Sequence, residues 1–149
     1  MYRLAGLAAA VLFALTSTAS AQSNSFEGTW KLNLAKSRYS PGPGPKAQTI
    51  IIEQTGKTTV NTIDREGEKM TMSFTTVPGQ VTTIEGAQGA TVLEKRIDQR
   101  TVEHVWKFGD MTIQGRGVLA KDGKSFVYTS TGIDRKGKKI KDYEVYERQ

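Results

Sequence analysis

From Lys46 onward the chain meets a turn signal roughly every ten residues, and the side chains between turns alternate in character, which a helix cannot exploit and a half-buried strand can. Thr55-Gly56-Lys57-Thr58, Glu66-Gly67, Val77-Pro78-Gly79, Gly109-Asp110 and Lys121-Asp122-Gly123-Lys124 supply the glycines, proline and aspartates that tight reversals need. Read at period two, Met70, Met72 and Phe74 share a face of 69–77, and Val102, His104, Trp106 and Phe108 share a face of 101–108. Upstream, Phe26, Gly28, Trp30, Leu32 and Leu34 alternate with Glu27, Thr29, Lys31 and Asn33. That run is predicted to be the first strand. Further strands are predicted over 49–54, 59–65, 69–77, 81–84, 91–98, 101–108, 111–120, 125–131 and 140–148.

No segment reads as a useful helix, so the chain is expected to be all-β. After Lys46 nearly every link is short enough for a hairpin, which favours an up-and-down meander over a Greek-key sandwich. Closing the meander removes its exposed edges. The predicted fold is an antiparallel β-barrel of about eight to ten strands. Its expected inner set is Phe26, Trp30, Leu32, Leu34, Ile50, Ile52, Met70, Met72, Phe74, Leu93, Ile97, Val102, His104, Trp106, Phe108, Phe126 and Tyr128. Methionines beside Trp, Tyr and His suit an adaptable apolar pocket with a few polar handles, and equally a filled core. Both remain open at this point. Gly115 and Gly117 indicate a bulge or a close approach, which leaves the face of Arg116 undecided.

Met1–Ala21 has one early positive charge, an apolar run from Leu4 to Leu15 and the small-residue pattern Ala19-Ser20-Ala21. It reads as a secretory signal peptide, leaving 22–149 as a single exported domain in the periplasm or the medium. No retained membrane anchor is expected, because the apolar run is too short to span a bilayer. The chain has no cysteine, which removes disulfides and thiolate metal sites. Stability has to come from burial and hydrogen bonding.

Residues 35–46 hold Pro41, Pro43 and Pro45 alternating with Gly42 and Gly44, a stiff exposed loop suited to a lid or contact role. The formal net charge is +6, and Arg135, Lys136, Lys138, Lys139 and Lys141 crowd one turn. A solvated turn that discourages edge pairing is one reading of that patch; contact with an anionic envelope surface is the other. No aromatic residue is interleaved with these charges, so no nucleic-acid partner is expected. Residues 63–69 nearly repeat 133–139, read as one turn chemistry used twice.

Gly28-Thr29-Trp30-Lys31-Leu32 resembles the opening of the lipocalin and fatty-acid-binding families (calycins), and Tyr143 to Arg148 is similar to the last strand of the fatty-acid-binding group. The whole chain also resembles small exported bacterial lipocalin-like proteins without assigned activity. The resemblance implies a barrel with Trp30 at its closed end, Arg148 as the late arginine that stacks on it, and the Pro-Gly loop over the mouth. Two features depart from the fatty-acid-binding pattern. The Pro-Gly loop stands where a helical lid would be, and Glu144 and Tyr146 stand where an Arg-x-Tyr carboxylate clamp would be. Glu144 would repel a fatty-acid carboxylate.

The expected ligand contacts are Trp30, Met72, Phe74, Lys95, His104, Trp106, Phe126 and Tyr128. Lys95, between Leu93 and Ile97, is the candidate anion partner inside the barrel. His104 is the sole histidine, so neither a zinc triad nor a second imidazole is available. No aspartate spacing matches a calcium loop, and no activated nucleophile or acid–base pair is recognisable. The expectation is a monomeric binder of a small apolar or amphipathic molecule, with no enzymatic role and no cofactor. The other class held open is an interaction module with a filled core, acting through the turn at 135–141 and the loop at 35–46.

Overall fold

The computed structural model describes residues 25–149; the signal-peptide reading lies outside the described residues. Ten strands follow in chain order: β1 (Gly28–Leu32), β2 (Ala47–Ile52), β3 (Lys57–Ile63), β4 (Lys69–Thr75), β5 (Val81–Thr83), β6 (Thr91–Asp98), β7 (Thr101–Phe108), β8 (Met111–Leu119), β9 (Ser125–Ile133) and β10 (Lys139–Arg148). They form one antiparallel sheet in the order β4-β3-β2-β1-β10-β9-β8-β7-β6-β5. The last strand returns to the first, with Trp30 opposite Arg148 and Leu32 opposite Tyr146. Right-handed twist curls such a sheet until its ends meet. Here β4 and the segment after β5 are joined by a bridge, Ser73 N–H to Glu85 O at 3.0 Å and Glu85 N–H to Ser73 O at 2.9 Å. The molecule is therefore a nearly closed up-and-down barrel. No helix among the described residues is long and apolar enough to cross a membrane.

The closed end is built on Trp30, which is completely buried. Phe126 meets it edge-on at 4.8 Å and stacks on Tyr146 at 4.7 Å. The indole N–H of Trp30 donates to Phe26 O at 2.8 Å, which folds the segment before β1 across the floor. From outside, the Arg148 guanidinium lies 4.1 Å from the indole centroid. Arg148 also donates to Gly123 O at 2.7 Å, to Ser25 O at 2.8 Å and to Glu27 O. A side chain at position 28 would place its Cβ 2.6 Å from Arg148 Nη1, and φ there is 127°. Gly28, Trp30 and Arg148 are thus one interlocked unit. A second cluster, Val60, Phe74, Ile84, Ala90 and Val92, packs the wall near the β4–β5 seam.

Four expectations change. The first strand stops at Leu32, because Asn33 turns the chain: its N–H bonds Val145 O at 2.8 Å and its side chain caps a 3-10 turn over Leu34–Lys36. Leu34 is consequently exposed. Met70, near one end of β4, is half exposed. Within the predicted loop, Arg38 exchanges backbone hydrogen bonds with Tyr143 at 2.7 and 2.8 Å, so the loop is fastened to β10. The fourth concerns β6, whose inner and outer faces are exchanged relative to the expectation.

Gly115 and Gly117 mark a close approach, since β8 pairs with both neighbours without a register break. A Cβ at Gly115 would fall 1.9 Å from the Tyr128 hydroxyl oxygen. Arg116 points outward to Glu103 at 2.6 Å. The near-repeat is one turn used twice: Asp64 accepts from the Glu68 N–H at 2.8 Å, and Asp134 from the Lys136 and Lys138 N–H groups at 2.9 and 2.8 Å.

Candidate ligand-binding cavity

Above the Trp30 floor the barrel encloses a cavity of about 740 Å³. That falls within the roughly 300–1,000 Å³ of small-molecule sites. Much of its wall is apolar, with Ile50, Ile52, Met72, Phe74, Trp106 and Phe126 among the lining residues. Phe74 meets Trp106 edge-on at 5.3 Å, and Phe108 stacks along Trp106 at 6.4 Å. The loop residues Tyr39, Pro41, Gly42 and Pro43 also line it.

Polar groups gather at two poles. On the β6–β9 side, Trp106 Nε1–H donates to the Tyr128 hydroxyl oxygen at 2.7 Å. His104 Nδ1 lies 3.0 Å from that hydroxyl, and Nε2 lies 3.2 Å from Glu94 Oε2. An indole only donates and a carboxylate only accepts. One direction therefore satisfies every member with a neutral ring: Tyr128 O–H donates to Nδ1, and Nε2–H donates to Glu94. Thr76 adds a hydroxyl donor to Glu94 Oε2 at 3.1 Å, and Arg96 stands 3.8 Å from Oε1. The His104 hydrogen bond, aided by Thr76 and Arg96 against the cost of burial, holds the Glu94 carboxyl below its ordinary range. Burial raises the Tyr128 phenol, which stays protonated.

At the other pole β10 turns Ile140, Asp142, Glu144 and Tyr146 toward the cavity. Tyr39 reaches in from the loop and donates to Glu144 Oε1 at 2.8 Å. Asp142 accepts from the Ser40 N–H at 3.0 Å. Tyr146 donates to Gln48, whose amide in turn donates to Thr62 at 2.8 Å. Burial pushes the Glu144 carboxyl up to about 7, with the Asp142 charge adding to the rise and the Tyr39 hydrogen bond opposing it. Asp142 is raised as well, again by burial. Among the described residues, no basic nitrogen lies within 4.0 Å of either carboxylate.

Of the expected contacts, Met72, Phe74, His104, Trp106, Phe126 and Tyr128 line the cavity together. Trp30 does not; it is sealed beneath Phe126 and Arg148 as part of the floor. Lys95 is corrected outright, because it is exposed on the outer face opposite Glu103, and Leu93 and Ile97 flank it there. The cause is a bulge in the β6–β7 hairpin. At the turn Asp98 opposes Thr101, and continuing that register would set Lys95 against His104. The register shifts between Arg96 and Asp98, so Glu94 opposes His104 and Val92 opposes Trp106. One extra residue inverts every side chain beyond it. Glu94 and Arg96 enter the cavity in place of Lys95. No group of three or more His, Asp or Glu suited to a metal ion occurs among the described residues.

Neither a protein-family model nor a curated protein sequence matches this chain.

Proposed function

We propose that this chain is an exported, lipocalin-like carrier that binds a small apolar or amphipathic molecule inside the barrel. The observation that supports it is the cavity of about 740 Å³, apolar over much of its wall and furnished with two polar poles that would orient a guest. A binder fits the chemistry better than an enzyme does. The imidazole of His104 is engaged on both nitrogens, and the phenol beside it is held protonated. The Pro-Gly loop, fastened to β10 through Arg38, Ser40 and Tyr39, serves as the cap. The exposed basic turn between β9 and β10 adjoins Asp134 and Ile140, both in the cavity wall, so an anionic surface met by that turn would face the mouth.

Titration with the neutral apolar fluorophore N-phenyl-1-naphthylamine tests the proposal. One equivalent should be taken up with enhanced emission, and Trp106→Ala should weaken uptake about tenfold, as expected when a large apolar contact is lost. A protein that takes up no apolar probe would overturn it.

A further inference from the structure

Charged groups enclosed in a barrel normally meet an opposite charge, since an unpaired ion in a poorly hydrated space is costly. The Glu94 pole obeys this rule, with the Arg96 guanidinium 3.8 Å from Oε1. The Asp142–Glu144 pole does not. Its partners are a phenol and a backbone N–H, which are neutral donors. Composition cannot explain the deficit, because the chain carries a net +6. Nor can distance along the chain, since Arg135, Lys136, Lys138, Lys139 and Lys141 belong to the same hairpin. All five of those cations are exposed, whereas Asp142 and Glu144 face the cavity. Solvent and salt screen the outer charges far more than the enclosed ones.

We infer that the ligand is an amphipathic cation, its apolar body lying against Phe74 and Trp106 and its positively charged nitrogen placed at Asp142 and Glu144. This rests on the ligand-binding function proposed above and adds the sign of the guest's head group. A nitrogen cation supplies the charge the pole lacks, and the Tyr39 ring, which lines the cavity beside Glu144, suits it further. A carboxylate guest would instead bring a third negative charge to the same pole.

Glu144 is faced by Tyr39 from the loop, Tyr128 from β9, and Asp142 and Tyr146 from its own strand. The three phenols stay protonated through neutral pH, and Asp142 ionises in the same direction as Glu144. Raising the pH therefore only adds negative charge at this pole. A cation should gain affinity as it does.

Calorimetric titration of the purified chain with decyltrimethylammonium and decanoate below their micellar concentrations, and with 1-decanol below its solubility limit, separates the possibilities. The quaternary cation keeps its charge at every pH. It should bind about ten- to a hundredfold more tightly than the alcohol at pH 8, the range expected for a partly desolvated cation contact without a hydrogen bond. That ratio should shrink about tenfold or more at pH 5.5, and the E144Q/D142N double variant should abolish it while 1-decanol still binds. Equal or weaker binding of the cation relative to decanol or decanoate, or a ratio flat with pH in the unmodified protein, would overturn the cation assignment and leave the binding cavity standing. Failure of all three probes to bind would overturn both.

Discussion

Glu144→Gln should make the protein more stable at alkaline pH, although it removes a charged side chain and leaves its shape. In the folded state the carboxyl titrates at about 7, against an ordinary value of 4.5. The folded protein therefore holds this proton more tightly than the unfolded chain does. Between those two values the folded state binds more protons, so this group's contribution falls as pH rises from about 4.5 and levels off above about 7. Over that interval the loss amounts to about 3 kcal/mol, and water entering at the mouth would reduce it to about 1–3 kcal/mol. Glutamine cannot ionise, yet its amide oxygen still accepts the Tyr39 hydroxyl. Asp142 is common to both proteins and largely cancels. Urea unfolding followed by tryptophan fluorescence at pH 5, 6.5 and 8 reads the difference directly. The variant should be close to wild type at pH 5 and ahead by about 1–3 kcal/mol at pH 8. A difference that is constant with pH, or a wild type that gains on the variant toward alkaline pH, would mean that a cation compensates Glu144 and would refute the reasoning.

Two further substitutions probe the frame. Gly115→Ala drives a methyl group into the Tyr128 hydroxyl, 1.9 Å away, and should lower stability by about 2 kcal/mol or more in thermal unfolding, with the Trp106 emission shifted as its acceptor moves. Arg148→Lys keeps the charge but loses the planar fork that covers Trp30 and reaches three carbonyls. A loss of about 2 kcal/mol is expected in the same measurement, and wild-type stability would show that the cap contributes little.

The strands are legible in the sequence because turn chemistry is local: glycine, proline and aspartate act within four residues, and the alternation between turns needs no tertiary information. The apolar half of the cavity is legible for the same reason, since Met72, Phe74, Trp106, Phe126 and Tyr128 sit at regular period-two positions. The polar half is harder. Glu94 and Arg96 break the rule that inner faces are apolar, and they do so because His104, Thr76 and Phe26 receive them. The bulge that sends them inward leaves no compositional mark in Arg96-Ile97-Asp98. Tyr39 carries no periodic signal, because its place depends on a loop pinned to a strand more than a hundred residues away. Glu144 is visible only through the resemblance to a clamp position, and there its charge already departs from the pattern.

The bulge before Asp98 also sets what kind of change could re-purpose this barrel. Strand number, outline and floor are set by the hairpins and by the Trp30 cluster, which lie apart from it. Straightening the bulge, so that Ile97 pairs with Val102 and the rest of β6 slides one place along β7, would set Lys95 against His104 in the cavity and carry Glu94 and Arg96 out, reversing the sign of that wall while the shape of the vessel stays the same. On this frame the class of guest is thus a matter of strand pairing, with a one-place slide of β6 enough to exchange one wall charge for the other.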